Sequence, residues 1–301
     1  MLTAKQARAR KRGVGCSETL AALGKDPRCS RLELYKRKVG ELPELDLSDD
    51  ERIRFGHLLE PVIRDEFARR IGHKVIVPRT TYFHPDAPLL GHPDGWIPSL
   101  NAGLEVKTAD KFEADEFGDE ASDQVPVRYL VQCAGYMALT NADRWHLCVL
   151  IGGNDLRTYE IPRDPELEAA ILAGAREFWS HVEQCRPPDP ATPEDVRLRW
   201  PKDLGTSAIA TPEIAELCAE LGLAKSDLKA AATREESLKA DVCKFMQEAA
   251  QLVDADGTLL ATWRTAKASE KFDLKRFEQE NPDLYRQYLR DVPGSRRFLL
   301  K

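Results

Sequence analysis

The chain has 301 residues, 42% hydrophobic and 31% charged, with a formal net charge of −6. That composition is ordinary for a globular protein, and no apolar run is long enough to span a membrane. The opening stretch MLTAKQARARKRG has no apolar centre and does not read as a signal peptide, and seven cysteines without a Cys-x-x-Cys pair fit neither a disulfide framework nor a zinc or iron–sulfur site. Reduced thiols and a cytoplasmic location are the expectation. The charge is uneven: residues 1–40 hold eleven Lys and Arg against three acids. A basic N-terminal lobe on an otherwise acidic chain suits an anionic partner, although a solvated charged surface gives the same count.

In chain order, CSETLAALG and SRLELYKRKVG read as short amphipathic helices, each closed by a glycine. SDDERIRFGHLLEPVIRDEFARRIG predicts a long helix with Ser48 as its cap and a kink or restart at Pro61. HKVIVPRTTYFHP, LLGHPDGWIP and GLEVKTA predict strands. VPVRYLVQCAGYMALTN predicts a helix with Leu130, Cys133, Ala134 and Met137 inward. RWHLCVLIGGNDLRTYEIP predicts a hairpin, and Asp164 with Pro165 opens a further helix. This order predicts an α/β fold with a mixed central β-sheet flanked by helices.

The Pro-rich stretch CRPPDPATPEDVRLRWP then reads as a linker, dividing residues 1–188 from a C-terminal extension, residues 189–301. Beyond it lies one long helix, or two broken near Gly222. Its apolar seam comprises Ile214, Leu217, Leu221, Leu228, Leu238, Val242 and Phe245. GTLLATWRT and SRRFLLK are expected to pair as a β-hairpin around a small helix.

The candidate chemistry centres on Pro93-Asp94, ten residues, then Glu105-x-Lys107. Side chains alternate along a strand, so Glu105 and Lys107 share one face while Val106 turns to the other. Phosphodiester cleavage needs a hard cation to polarise the phosphate and activate water, and two carboxylates on neighbouring strands supply oxygen ligands. Lys107 would hold or deprotonate the water, or stabilise developing charge. Alone the pattern is only moderately specific, because Glu/Lys alternation also marks the solvent face of a strand. Upstream, Gly56-His57-Leu58-Leu59-Glu60 places a carboxylate on a helix. Downstream, Tyr129 and Gln132 fall one turn apart. RARKRGVGCSE joins arginines, a Gly-x-Gly turn and a helix-start serine, a composition suited to phosphate.

The ordered set resembles the lambda-exonuclease-like branch of the PD-(D/E)xK nucleases, the YqaJ-like viral recombinase family. It comprises Arg10…Gly13-Val14-Gly15-Cys16-Ser17, Gly56–Glu60, Pro93–Gly95, Glu105–Lys107 and Tyr129–Gln132. The resemblance implies a restriction-endonuclease-like core and a Mg²⁺-dependent 5′-to-3′ exonuclease on double-stranded DNA ends, with Mn²⁺ able to substitute. The product would be a 3′ overhang for a single-strand annealing protein in phage-type recombination, inside a bacterial host. It implies Asp94, Glu105 and Glu60 at the metal site, Lys107 as catalytic lysine, Gln132 as an orienter of water or metal and Tyr129 in support. Arg10 and Ser17 would contact the 5′-phosphate, and the protein would form a ring-shaped homo-oligomer with no membrane partner. The family's tryptophan ahead of the first arginines is missing. Two rivals share features of the pattern: a metal-dependent endonuclease, for which no sequence-reading module is evident, and a non-catalytic DNA-end-binding adaptor.

Overall fold

Strand pairing in this protein begins with the GVG turn. In the computed structural model, which describes residues 8–43, 49–292 and 294–300, β1 (Val14–Gly15) leads into a 3-10 turn at Cys16–Glu18 and a short helix α1 (Thr19–Ala22). Ser30 caps α2 (Arg31–Lys38) by accepting from the Glu33 N–H. The long helix α3 (Glu51–Ile71) is capped by Asp50, which accepts from the Arg52 N–H. The cap expected at Ser48 lies outside the described residues. α3 runs on through Pro61 without a restart. Proline removes one ladder donor there, but Ile63 and Phe67 in the next turns bury against the sheet and hold the helix together.

β2 is only Tyr82–Phe83, followed by β3 (Leu89–Gly91), β4 (Gly95–Ile97) and β5 (Ala102–Ala109). The strand expected across residues 73–85 is therefore mostly irregular, reduced to β2 and a single bridge from Ile76 to Trp96. Pro78 and Pro85 lack the N–H a ladder needs. LLGHPDGWIP likewise forms two strands rather than one, and they lie in different sheets. β1, β3 and β2 make a three-stranded sheet, with β1 parallel to β3 and β2 antiparallel to it.

From β5 the chain crosses over through α4 (Val127–Thr140) to β6 (Arg144–Ile151), which pairs parallel to β5, as parallel strands require. β7 (Asp155–Pro162) returns as the predicted hairpin, giving a four-stranded sheet of order β4-β5-β6-β7. α5 (Pro165–Glu183) starts at Asp164, whose carboxylate accepts from the N–H groups of Glu166 and Leu167. Cys133, Ala134 and Met137 of α4 are buried and Leu130 packs at their margin. Ile63 and Phe67 of α3 meet Leu104, Val106 and Cys148 on the other side of the sheet. The result is a mixed α/β core with helices on both faces.

The chain divides into two compact units, Met1–Trp200 and Pro201–Lys301. The first includes α6 (Pro193–Arg199), where buried Asp195 accepts from the Ala191 N–H at 3.0 Å and is hydrogen-bonded by Ser30. The second contains α7 (Pro212–Met246), unbroken at Gly222, with its apolar seam exposed. β8 (Gln251–Val253) pairs with β9 (Leu259–Thr262), and α8 (Leu274–Glu280) and α9 (Pro282–Gln287) follow. The expected partner of β9, residues 295–300, forms no strand. Asp254 closes a tight local turn by accepting from the Thr258 N–H at 2.8 Å, a shorter closure than one reaching past two helices.

The sheet is sensitive at Gly103, because a Cβ there would stand 2.1 Å from the fully buried Trp145 ring. Gly103→Ala should destabilise the fold by about 1–3 kcal/mol through overpacking. Thermal unfolding checks this, and an unchanged melting temperature would show that Trp145 relaxes freely.

Candidate active site

The register of β4 on β5 decides where Asp94 goes. Gly95 pairs with Leu104, so Asp94 stands one step beyond β4, and its Oδ2 accepts from the Val106 N–H at 2.8 Å. A carboxylate thus extends the β4 ladder onto the strand that carries Glu105 and Lys107. Val106 joins the apolar cluster under α3, while Glu105 turns towards α4.

Glu105 is 2% exposed, and its two oxygens have different surroundings. Oε1 accepts from Gln132 Nε2 at 2.6 Å and forms an ion pair with the Lys107 ammonium. Oε2 is buried and has no hydrogen-bond partner. Burial, and then the charge of Glu105, push the Asp94 carboxyl well above the usual carboxylate range, with Lys107 opposing the shift. For Lys107, burial works against the charge, but the carboxylates of Glu105 and Asp94 prevail and raise its pKa. Two acids therefore converge where one ammonium offsets them incompletely.

This donor set fits a hard divalent cation, because Asp94 and Glu105 offer oxygen ligands and Glu105 Oε2 is an orphaned buried acceptor. Glu60 lies elsewhere in the same region. Its Oε1 pairs with Arg64 Nη1 at 2.9 Å, and that guanidinium also donates to the Asp94 carbonyl at 3.3 Å. Glu60 faces a groove shared with His57, Asp94 and Lys107. Among the described residues, no three His, Cys, Asp or Glu side chains are gathered to hold a metal ion.

Arg10 and Ser17 reach the same place from the N-terminus. Arg10 Nη2 donates to Ser17 Oγ at 3.1 Å. Both line a cleft of about 290 Å³ together with His57, Asp94, Glu105, Lys107 and Gln132. Tyr129 sits at the margin, stacked on Phe117, with its ring centroid 5.8 Å from Lys107 Nζ. The geometry thus joins Arg10, Ser17, Asp94, Glu105, Lys107 and Gln132, leaves Glu60 tied to Arg64, and gives Tyr129 a flanking place.

Sequence reasoning passed over Tyr136. Its hydroxyl accepts from Gln132 Nε2 at 3.2 Å and donates to the His92 carbonyl at 3.4 Å. It therefore links the amide that orients Glu105 to the segment that carries Asp94. The ring stacks on Trp145 with centroids 5.0 Å apart, and a Cβ on Gly91 would come within 2.6 Å of it. The available signal was spacing: Tyr136 follows Gln132 by one helical turn. Tyr136→Phe keeps the stacking and removes the bridge. It should slow catalysis about tenfold, the worth of roughly one hydrogen bond, with little change in melting temperature. Single-turnover kinetics measure the first effect and thermal unfolding the second; an unaltered rate would remove the hydroxyl from the machinery.

Comparison with known proteins bears on the same residues. Residues 6–143 match the model of the YqaJ-like viral recombinase domain. A Bacillus subtilis strain 168 protein, described as uncharacterized protein YqaJ, is 28% identical over 97% of this chain and 92% of its own length. Among solved structures, an alkaline exonuclease from Laribacter hongkongensis is 19% identical with a TM-score of 0.48, covering 64% of this chain and 94% of its own. A phage-related exonuclease from Haemophilus somnus is 15% identical with a TM-score of 0.45, covering 57% and 95%. The matched span contains Arg10, Ser17, Asp94, Glu105, Lys107 and Gln132, and over that span the chain is similar to the YqaJ-like viral recombinase domain.

Proposed function

We propose that this protein is a metal-dependent deoxyribonuclease that degrades one strand of linear double-stranded DNA from its 5′ end. The observation that carries the proposal is the shared cleft. A basic anchor, Arg10 with Ser17, opens onto the same space as two buried carboxylates and an ammonium. An end-directed nuclease needs that pairing of a terminal contact with a hydrolytic centre. The recombinase family supports the setting, in which the 3′ overhang passes to a single-strand annealing protein. A ring-shaped homo-oligomer enclosing the duplex completes the reading.

Asp94 and Glu105 would hold Mg²⁺, or Mn²⁺ in its place, which polarises the phosphate and lowers the pKa of bound water. The remaining work falls to the chain. Gln132 holds Glu105 Oε1, leaving Oε2 turned away from protein donors. Lys107, kept charged by its carboxylate neighbours, presents N–H donors where negative charge develops on the phosphate. Arg10 holds a terminal phosphate, which carries about one more negative charge than an internal diester, through a guanidinium fork. Glu60 bears on the site through Arg64, whose guanidinium steadies the Asp94 main chain.

End-labelled linear duplex and covalently closed circular duplex, each incubated with Mg²⁺ or with EDTA, test the reading. Only linear DNA with Mg²⁺ should be consumed, and the label on the 5′ end should be released first. Nicking or linearisation of closed circles would favour an endonuclease, and binding without turnover would favour an adaptor. Lys107→Ala should lower the single-turnover rate by about 10²–10³, the usual effect of losing one preorganised electrostatic donor. A variant within threefold of wild type would take Lys107 out of the reaction.

A further inference from the structure

Arg10 is backed by a second basic side chain that the cleft does not expose. Lys38 is the last residue of α2, and its side chain is 2% exposed. A buried ammonium is costly unless paired, and Lys38 has two partners. It donates to the Arg10 carbonyl at 2.9 Å and to Glu18 Oε2 at 2.5 Å. Glu18 also accepts from the Gly15 N–H at 2.7 Å, and its Oε1 lies 3.6 Å from Arg10 Nη2. Main chain and guanidinium of Arg10 are therefore tied into one closed group with Glu18 and Lys38.

The charges in this group give it a purpose beyond packing. Arg10 and Glu18 alone make a neutral pair, which has no net attraction for an anion. Lys38 occupies the other oxygen of Glu18 from the buried side and returns the group to one net positive charge. We propose that Lys38 is a positioning and charge-balancing residue for DNA-end selection. It neutralises Glu18 and fixes the Arg10 main chain, so that the Arg10 guanidinium keeps its attraction for a terminal 5′-phosphate. The inference rests on the reading of Arg10 as the phosphate contact. Lys38 itself is out of reach of DNA.

The test compares kcat/KM on matched 5′-phosphorylated and 5′-hydroxyl duplexes for wild type, Arg10→Ala, Lys38→Met and a Lys38→Met, Glu18→Gln double variant. Wild type should prefer the phosphorylated end at least about tenfold, since a charge-assisted contact of this kind is worth tenfold or more. Arg10→Ala should level the two substrates. Lys38→Met should also cut the ratio, by about tenfold, because Glu18 then cancels Arg10. Removing the Glu18 charge as well should restore the ratio to within about threefold of wild type, since neither buried charge is left unpaired. A defect of folding alone would slow both substrates and leave the ratio intact.

If Arg10→Ala levels the substrates while Lys38→Met keeps the full ratio, the inference about Lys38 is wrong and the phosphate pocket stands. If Arg10→Ala itself keeps the ratio, the pocket reading fails and takes the inference with it. Should Lys38→Met not fold, the double variant is read alone. A ratio near wild type supports charge balance, and a ratio as low as that of Arg10→Ala overturns it.

Discussion

The structure turns on two carboxylates and one ammonium gathered on adjacent strands of a sheet. Charges of like sign repel at short range, and burial strengthens the repulsion because little water screens it. Asp94 and Glu105 are held together all the same, by a main-chain hydrogen bond, an amide and the Lys107 ion pair. None of these uses Glu105 Oε2. The fold therefore retains an uncompensated acceptor beside a carboxyl whose charged form is disfavoured, an arrangement that stabilises no core and that a bound cation would relieve.

The scaffold around this cluster is built to hold it still. β3 serves both ends of the cleft: it pairs parallel with β1, which precedes the Ser17 turn, and leads directly into Pro93 and Asp94. The anchor and the acids are thereby fixed to one short strand. On the far side, Trp145 packs beneath Tyr136, whose hydroxyl joins Gln132 to the backbone at His92. Trp145 and Tyr136 thus set the orientation of Gln132 and of the segment bearing Asp94, through stacking on one hand and hydrogen bonds on the other.

Local patterns carried much of this into the sequence. The alternation of Glu105, Val106 and Lys107 follows from the pleat of any strand, and the helix bearing Gln132 follows from its apolar period. What the sequence left obscure depends on partners distant along the chain. Whether Glu60 faces a metal or a guanidinium is decided by Arg64 on the next turn and by the Asp94 carbonyl. Lys38 reads as an ordinary basic residue at a helix end, and only the fold shows it buried against Arg10 and Glu18. The C-terminal strands failed for a related reason. β-propensity marked residues 257–265 as strand, but a nearer segment, Gln251–Val253, took the pairing.

The central claim is that Asp94 and Glu105 are poised for a divalent cation, and a calorimetric titration of Mg²⁺ into metal-free protein tests it most directly. Ca²⁺, which also takes oxygen ligands, serves as a second probe. Wild type should bind, and at a hundredfold excess over Kd the ion should stabilise the fold by about 2.7 kcal/mol. Asp94→Asn, which keeps an acceptor for the Val106 N–H, should bind more weakly and melt higher than wild type in EDTA, because the disfavoured charge is gone. Equal Mg²⁺ affinity in wild type and variant, or a variant that melts lower in EDTA, would contradict the account.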